Sequence, residues 1–78
     1  MSDPILDRLL QLASKRFGVD VSALNPTDDI FDALSIDSLQ ALELVTDLEG
    51  AFGVEVPDYE LQDARTFTDI ADVVRDRV

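Results

Sequence analysis

The sequence predicts an all-α fold: a small four-helix bundle of three main helices and one short helix, with a long loop between the first two main helices. Apolar residues recur at three- and four-residue steps in three segments, each bounded by helix-capping residues. No segment shows the alternation of apolar and polar residues that a half-buried strand requires. At 78 residues and 46% hydrophobic composition, we expect residues 1–78 to fold as a single domain.

The first main helix is predicted over residues 3–17. Ser2, Asp3 and Pro4 provide capping side chains and a proline in the first turn, where its missing N–H costs little. Gly18 is a typical C-terminal stop. The residues that would form one apolar face are Ile5, Leu6, Leu9, Leu10, Ala13 and Phe17.

Residues 18–36 form the long connection. The run from Asn25 to Asp29 has the composition of a turn. The connection nevertheless contains too many apolar residues for a free linker, so we expect it to lie against the bundle with one short helical turn. These apolar residues are Val21, Leu24, Ile30, Phe31, Leu34 and Ile36.

The second main helix is predicted from Ser38 to Phe52. Asp37 is a candidate N-cap and Gln40 follows three residues later, as in a capping box. Gly53 would end the helix. Its predicted core face consists of Ala41, Val45, Leu48 and Phe52, with Leu42 and Leu44 on the flanks.

Two further helices follow. Residues 58–62 are predicted to form the short helix after Pro57. Thr66 and Asp69 have the spacing of a capping box and would open the last main helix. The residues on its predicted apolar face are Phe67, Ile70, Ala71, Val74 and Val78.

Charge is distributed unevenly along the chain. The net charge is -11, and the six basic residues all lie in the first or last quarter, so none occurs between Phe17 and Ala64. Such a field repels nucleic acid and attracts basic protein surfaces. Glu43 and Asp47 lie opposite the core face of the second main helix, and Leu39 points towards them. These residues form either a docking face for basic partners or a solvated surface.

Several kinds of function are excluded or disfavoured by composition. The chain has no cysteine and no histidine, which removes thiol nucleophiles, Ser–His pairs and the commonest zinc ligands. A calcium loop read from Asp28 would place Ala33 and Leu39 at positions that need glycine and glutamate. We therefore expect neither catalytic residues nor a metal site. No apolar run approaches ~18 residues, so we expect no membrane insertion. We also expect a cytoplasmic protein and a monomer.

Ser38 is the candidate functional residue. By position alone, Asp37 and Ser38 are an ordinary helix start, which is the commoner explanation for such residues. A serine in the first helical turn also projects its hydroxyl near open backbone N–H groups and the positive end of the helix dipole. A phosphate ester would be stabilised there, and a hydroxyl without an internal base suits modification by another enzyme.

The triplet Asp37-Ser38-Leu39 resembles the attachment motif of the acyl carrier proteins. By itself the triplet is weakly specific, but the resemblance covers nearly the whole chain. It is carried by residues 17–20, 32–34, 42–45, 48–49 and 52–58 and by Phe67. The start at Met1 and the end soon after the last helix favour a free-standing protein over a piece of a larger synthase.

The resemblance implies that a phosphopantetheinyl transferase moves 4′-phosphopantetheine from coenzyme A onto Ser38. The arm would hold acyl intermediates as thioesters and deliver them to fatty-acid, polyketide or related biosynthetic enzymes. Those synthases, transferases or ligases would dock through basic patches. The residues matching the docking positions of the family are Asp37, Glu43 and Glu49, with Asp47 as a further acidic candidate and Leu39 as an apolar anchor.

Two residues depart from the family pattern. Ser35 lies where glycine is usual, two residues before the aspartate, and Gly50 lies where an acidic residue is common. Both departures are compatible with a specialised carrier. Two alternatives also stay open: a peptidyl or aminoacyl carrier protein, which the acidity of the second main helix disfavours, and an unmodified acidic helical protein-interaction module in which Ser38 is only part of a helix cap.

Overall fold

The computed structural model describes residues 3–78, and Ser2, part of the predicted helix start, lies outside them. Within this range the chain is helical, and its only β feature is an isolated antiparallel bridge between Asp29 and Thr66. The all-α prediction is confirmed. The elements are α1 (Pro4–Phe17), a 3₁₀ turn (Val21–Ala23), α2 (Ile30–Leu34), α3 (Ser38–Phe52), α4 (Asp58–Leu61) and α5 (Phe67–Arg75).

Helix α1 follows the predicted boundaries closely. The Asp3 carboxylate accepts hydrogen bonds from the backbone N–H groups of Ile5 and Leu6, which caps the helix. Gly18 ends it in the left-handed conformation, with φ of 69°. The helix packs against α3 and α5 through its buried residues, which are Ile5, Leu9, Leu10 and Ala13.

The long connection contains two helical segments rather than the one short turn that the sequence predicted. Asp20 caps the 3₁₀ turn and Asp29 caps α2, each through its carboxylate. Segments of three and five residues are too short to show a helical period in the sequence. The connection lies against the bundle as expected, and its buried residues are Leu24, Ile30, Leu34 and Ile36.

Helix α3 has the predicted boundaries. Asp37 and Gln40 form the predicted capping box, and Gly53 ends the helix at a φ of 66°. The core face is rotated slightly from the prediction, since Leu44 is fully buried while Phe52 near the helix end is only half-buried. The buried residues of α3 are Ala41, Leu44, Val45 and Leu48.

The C-terminal part also agrees with the sequence, with one correction. Thr66 and Asp69 form the predicted capping box at the start of α5. The helix ends at Arg75, so Val78 does not reach the core face predicted for it and is 70% exposed. The buried residues of α5 are Phe67, Ile70, Ala71 and Val74.

The three main helices enclose one hydrophobic core. Helix α1 contacts α3 and α5, while the short α2 packs on α3 and the short α4 packs on α5. Leu9, Leu44 and Phe67, one from each main helix, are completely buried in it. Within residues 3–78, none of the helices has the length and hydrophobicity that crossing a membrane requires. The packing leaves the start of α3 at the surface.

Candidate functional site

Ser38 is the first residue of α3 and is exposed to solvent. The capping box is made by its neighbours: Asp37 Oδ1 accepts from Gln40 N–H at 2.9 Å, and Gln40 Oε1 accepts from Asp37 N–H at 3.2 Å. These bonds use two of the N–H groups that a helix start leaves without partners; Ser38 and Leu39 carry the others. The structure therefore gives the capping role to Asp37 and leaves the Ser38 hydroxyl outside the capping box.

The turn that leads into the site is made by Ser35 and Ile36. Ser35 has φ of 55° and ψ of 46°, the left-handed conformation, and ends α2. Ile36 N–H donates to the Phe31 carbonyl at 3.1 Å, and its side chain is buried. The resemblance predicts glycine at position 35, and this backbone conformation is one that glycine adopts without a Cβ penalty.

A cleft of about 560 Å³ opens beside Ser38. Its lining is mostly apolar and is supplied by α2, α3, α4 and α5 and by the loop before α5. Ser38, Asp58, Gln62 and Arg65 are its polar residues, and the apolar lining consists of Ile30, Phe31, Ala41, Leu42, Val45, Leu61, Ala64 and Ile70. A cleft of this size and composition can accept an extended apolar chain.

The predicted acidic face of α3 is partly neutralised from within the molecule. Arg16, at the end of α1, binds both carboxylate oxygens of Asp47, with Nε 2.6 Å from Oδ2 and Nη2 2.9 Å from Oδ1. Its Nη1 also lies 3.4 Å from Glu43 Oε2. The hydrogen bond from Arg16 lowers the pKa of Asp47, against the opposing effect of burial, so Asp47 stays ionised.

Glu49 has a structural contact as well. Its carboxylate accepts a hydrogen bond from the backbone N–H of Val56 at 2.9 Å and so ties the segment after α3 to the helix. Of the predicted docking residues, Asp37, Leu39 and Glu43 are exposed, whereas Asp47 and Glu49 are half-buried. Leu39, 66% exposed, is a large apolar side chain beside Ser38. Asp37, Leu39 and Glu43 are thus the most accessible of the five.

Sequence reasoning missed Arg16 and Arg65 as parts of the site. Arg16 lies in the last turn of α1, and its contact with Asp47 spans 31 residues of sequence. Arg65 lines the cleft from the loop before α5. The available signal was that Arg16 and Arg65 lie at the two ends of the segment without lysine or arginine. Only the packing of α1 and α5 shows which groups these two residues face.

The bundle exposes a serine at the start of α3 beside an apolar cleft. The family model described as a phosphopantetheine attachment site matches residues 7–74. The chain is 36% identical over 72 residues to an acyl carrier protein of Rubrobacter xylanophilus, covering 92% of this chain and 89% of that one. It is 38% identical over 65 residues to one of Syntrophobacter fumaroxidans, covering 83% and 80% of the two chains.

A third relative, an acyl carrier protein of Thermobifida fusca, is 34% identical over 71 residues, which cover 91% of this chain and 90% of the relative. The chain belongs to the acyl carrier protein family, which confirms the resemblance found in the sequence. Members of this family are carriers rather than catalysts, and their prosthetic group is covalently attached 4′-phosphopantetheine.

Proposed function

We propose that Ser38 is the attachment residue for 4′-phosphopantetheine and that the chain carries acyl intermediates on this arm. The observation that carries the proposal is the exposed Ser38 hydroxyl at the start of α3, which the capping box leaves unused. The residues present fit the group. The N–H groups of Ser38 and Leu39 and the helix dipole favour a phosphate there, and the adjacent cleft has room for an apolar chain.

The chain cannot perform its own modification. It has no histidine or cysteine to activate Ser38, and its only lysine, Lys15, lies near the end of α1. A phosphopantetheinyl transferase must therefore remove the hydroxyl proton. The bond from Ser38 Oγ to phosphorus forms as the pyrophosphate bond of coenzyme A breaks, and adenosine bisphosphate leaves. The arm then supplies the thiol that this cysteine-free chain lacks.

Partner enzymes are proposed to dock on α3 next to Ser38. Leu39 offers an apolar anchor, and Asp37 and Glu43 offer exposed carboxylates around it. Asp47 and Glu49 contribute negative potential, although each carboxylate already accepts a hydrogen bond within the chain. The partners that fit are the transferase and acyl synthases, transferases or ligases with basic patches, in encounters governed by association rate and salt.

The experiment that tests the attachment is intact-protein mass spectrometry after incubation with coenzyme A, magnesium and a promiscuous phosphopantetheinyl transferase. The wild-type chain should gain the mass of one phosphopantetheine, and Ser38→Ala should gain none. Ser35→Ala is the matched control, since this serine lies three residues away and is also exposed, and it should be modified like the wild type. An unmodified wild-type chain beside a modified control carrier would refute the proposal.

A cytoplasmic, monomeric, single-domain carrier remains the proposal from the sequence. The pathway is fatty-acid, polyketide or related biosynthesis, and identification of the thioester on protein from the native host distinguishes these from a peptidyl or aminoacyl carrier. An acidic interaction module without the arm predicts that Ser38→Ala leaves partner binding unchanged. The structure gives this alternative less support, because Asp37 and not the Ser38 hydroxyl caps α3.

A further inference from the structure

The cleft beside Ser38 has one cation among the residues that line it. Its polar lining residues are Ser38, Asp58, Gln62 and Arg65, of which Arg65 alone is basic. The net charge of the chain is -11, so an anion brought to this cleft is repelled by the protein as a whole. A guanidinium in the lining is therefore the group best able to hold an oxyanion there.

The backbone of Arg65 is held on both sides. Its carbonyl accepts a hydrogen bond from Ile30 N–H at 2.7 Å, which joins the loop before α5 to the start of α2. Its own N–H donates to Asp69 Oδ2 at 3.1 Å, as part of the polar contacts that start α5. The adjacent residues Asp29 and Thr66 form the isolated β-bridge. These contacts hold the backbone of Arg65 in place beside the cleft, and the side chain extends from that position.

The guanidinium itself is loosely held. The Arg65 side chain is 71% exposed, and Nη1 lies 4.0 Å from the nearest carboxylate oxygen, Asp29 Oδ2. The other carboxylate oxygen of Asp29 caps α2 by accepting from Phe31 N–H at 2.8 Å. By contrast, Arg16 and Arg77 each bind a carboxylate with Nε within 2.8 Å. Arg65 is therefore available to a closer anionic ligand.

We propose that Arg65 binds an oxyanion of the loaded arm, which makes it a positioning residue for what Ser38 carries. The inference depends on the proposed attachment at Ser38. Two oxyanions have the required chemistry: the phosphodiester that joins the arm to Ser38, and a free carboxylate at the end of a dicarboxylic acyl cargo. The planar fork of Arg65 pairs with either through two hydrogen bonds. Such a contact holds the arm or cargo beside the Arg65 side chain in the cleft.

The test uses proton–nitrogen NMR of the Arg65 Nε–H group together with phosphorus NMR of the arm. The samples are the unmodified chain, the modified chain, and the modified chain loaded with a neutral straight acyl group or with a malonyl group. Mass spectrometry first verifies complete loading of each sample. A chain that gains no phosphopantetheine refutes the attachment at Ser38, whereas a modified and acylated chain without the expected NMR shifts refutes the role of Arg65 alone.

If the phosphodiester is the ligand, the Arg65 Nε–H signal moves downfield on modification, and Arg65→Gln moves the phosphorus signal towards that of the same phosphodiester on an unstructured serine peptide. If the cargo carboxylate is the ligand, the Arg65 signal moves only in the malonyl sample. Moderate salt reduces either shift because the contact is exposed, and Arg65→Lys retains part of it.

Arg8→Gln is the matched control, since it removes the same charge from a different groove, beside α1, and it should leave the arm signals unchanged. Equal Arg65 signals in all four samples would overturn the proposal. An effect of Arg8→Gln on the phosphorus signal as large as that of Arg65→Gln would also overturn it, because net charge alone would then explain the shift.

Discussion

Arg16 Nε lies 2.6 Å from Asp47 Oδ2, so the end of α1 is joined by an ion pair to the acidic face of α3. A second bond from Nη2 to Oδ1, at 2.9 Å, makes the contact bidentate. Arg16 thereby cancels one negative charge on the surface where partners are proposed to dock. A partner arginine or lysine must compete with it for Glu43 and Asp47.

Arg16→Gln should raise kcat/KM of the transferase for the chain by about twofold to tenfold at low ionic strength, because the acidic face gains one net negative charge. Moderate salt should reduce the gain. Arg77→Gln is the control, since Arg77 forms a comparable pair with Glu60, Nε to Oε2 at 2.8 Å, away from α3. Equal effects of both variants would contradict the specific role of Arg16.

Gly50 should be replaceable with a gain in stability. It lies inside α3, is exposed, and a Cβ added there meets no atom within 4 Å apart from its chain neighbours and the nearby backbone of α3. Gly50→Ala should raise the free energy of unfolding by about 1 kcal/mol, which corresponds to a rise in melting temperature of about 4–8 °C for a domain of this size. Thermal and urea unfolding followed by circular dichroism measure it. An unchanged or lower free energy of unfolding would contradict the view that Gly50 only weakens the helix.

Ser35 and Gly53 both have left-handed backbones, at φ of 55° and 66°, so opposite substitutions at the two positions can be compared. Ser35→Gly should raise the free energy of unfolding by about 0.5 kcal/mol, the relief of the Cβ clash less the added entropy of the unfolded chain. Gly53→Ala should lower it by about 1 kcal/mol. Urea unfolding measures both, and effects of the same sign would contradict the assigned backbone strain.

Asp69 should make a pH-dependent contribution to the free energy of unfolding. Hydrogen bonds from the backbone N–H groups of Arg65 and Thr66 lower the pKa of its carboxyl in the folded state. The stabilisation is therefore present above the pKa of Asp69 in the unfolded chain, about 4, and is lost as pH falls through its lower pKa in the folded chain. Asp69→Asn retains an acceptor but does not titrate. Its stability deficit relative to wild type should shrink between about pH 5 and pH 3, and a constant deficit would contradict the assignment.

Salt should stabilise the whole chain. The sequence has 17 acidic and 6 basic residues, so repulsion opposes folding more than the exposed ion pairs favour it. The melting temperature should rise from low to moderate ionic strength, and further with a divalent cation. A flat melting temperature over that range would show that the repulsion is unimportant to the fold.

The features predicted correctly from the sequence are those that neighbouring residues determine. Asp37 and Gln40 define the start of α3 through a capping box within one helical turn, and Gly53 defines its end. One short helical turn was predicted in the long connection but was not placed, because the five residues of α2 show no period, although Asp29 was available as its cap. Local chemistry thus placed Ser38 correctly at a helix start.

The surroundings of Ser38 were less predictable, because they depend on how distant segments pack. Contact between Arg16 and Asp47 requires the end of α1 to lie beside α3. The cleft requires four helices and the loop before α5, and Arg65 enters it from that loop. The helical wheel correctly placed Glu43 and Asp47 opposite the core, but it gave no indication that Arg16 binds them and leaves Asp47 half-buried.

The most direct test of the account is to locate the modification within the chain. Trypsin cannot separate the candidate serines, because no lysine or arginine lies between Phe17 and Ala64. A protease that cuts after acidic residues should cut after Asp32, Asp37 and Glu43 and so release Ser35 and Ser38 on different peptides. Mass spectrometry of the transferase-treated wild type should find phosphopantetheine on peptide 38–43 and none on peptide 33–37. The arm on any other peptide would contradict the central role given to Ser38.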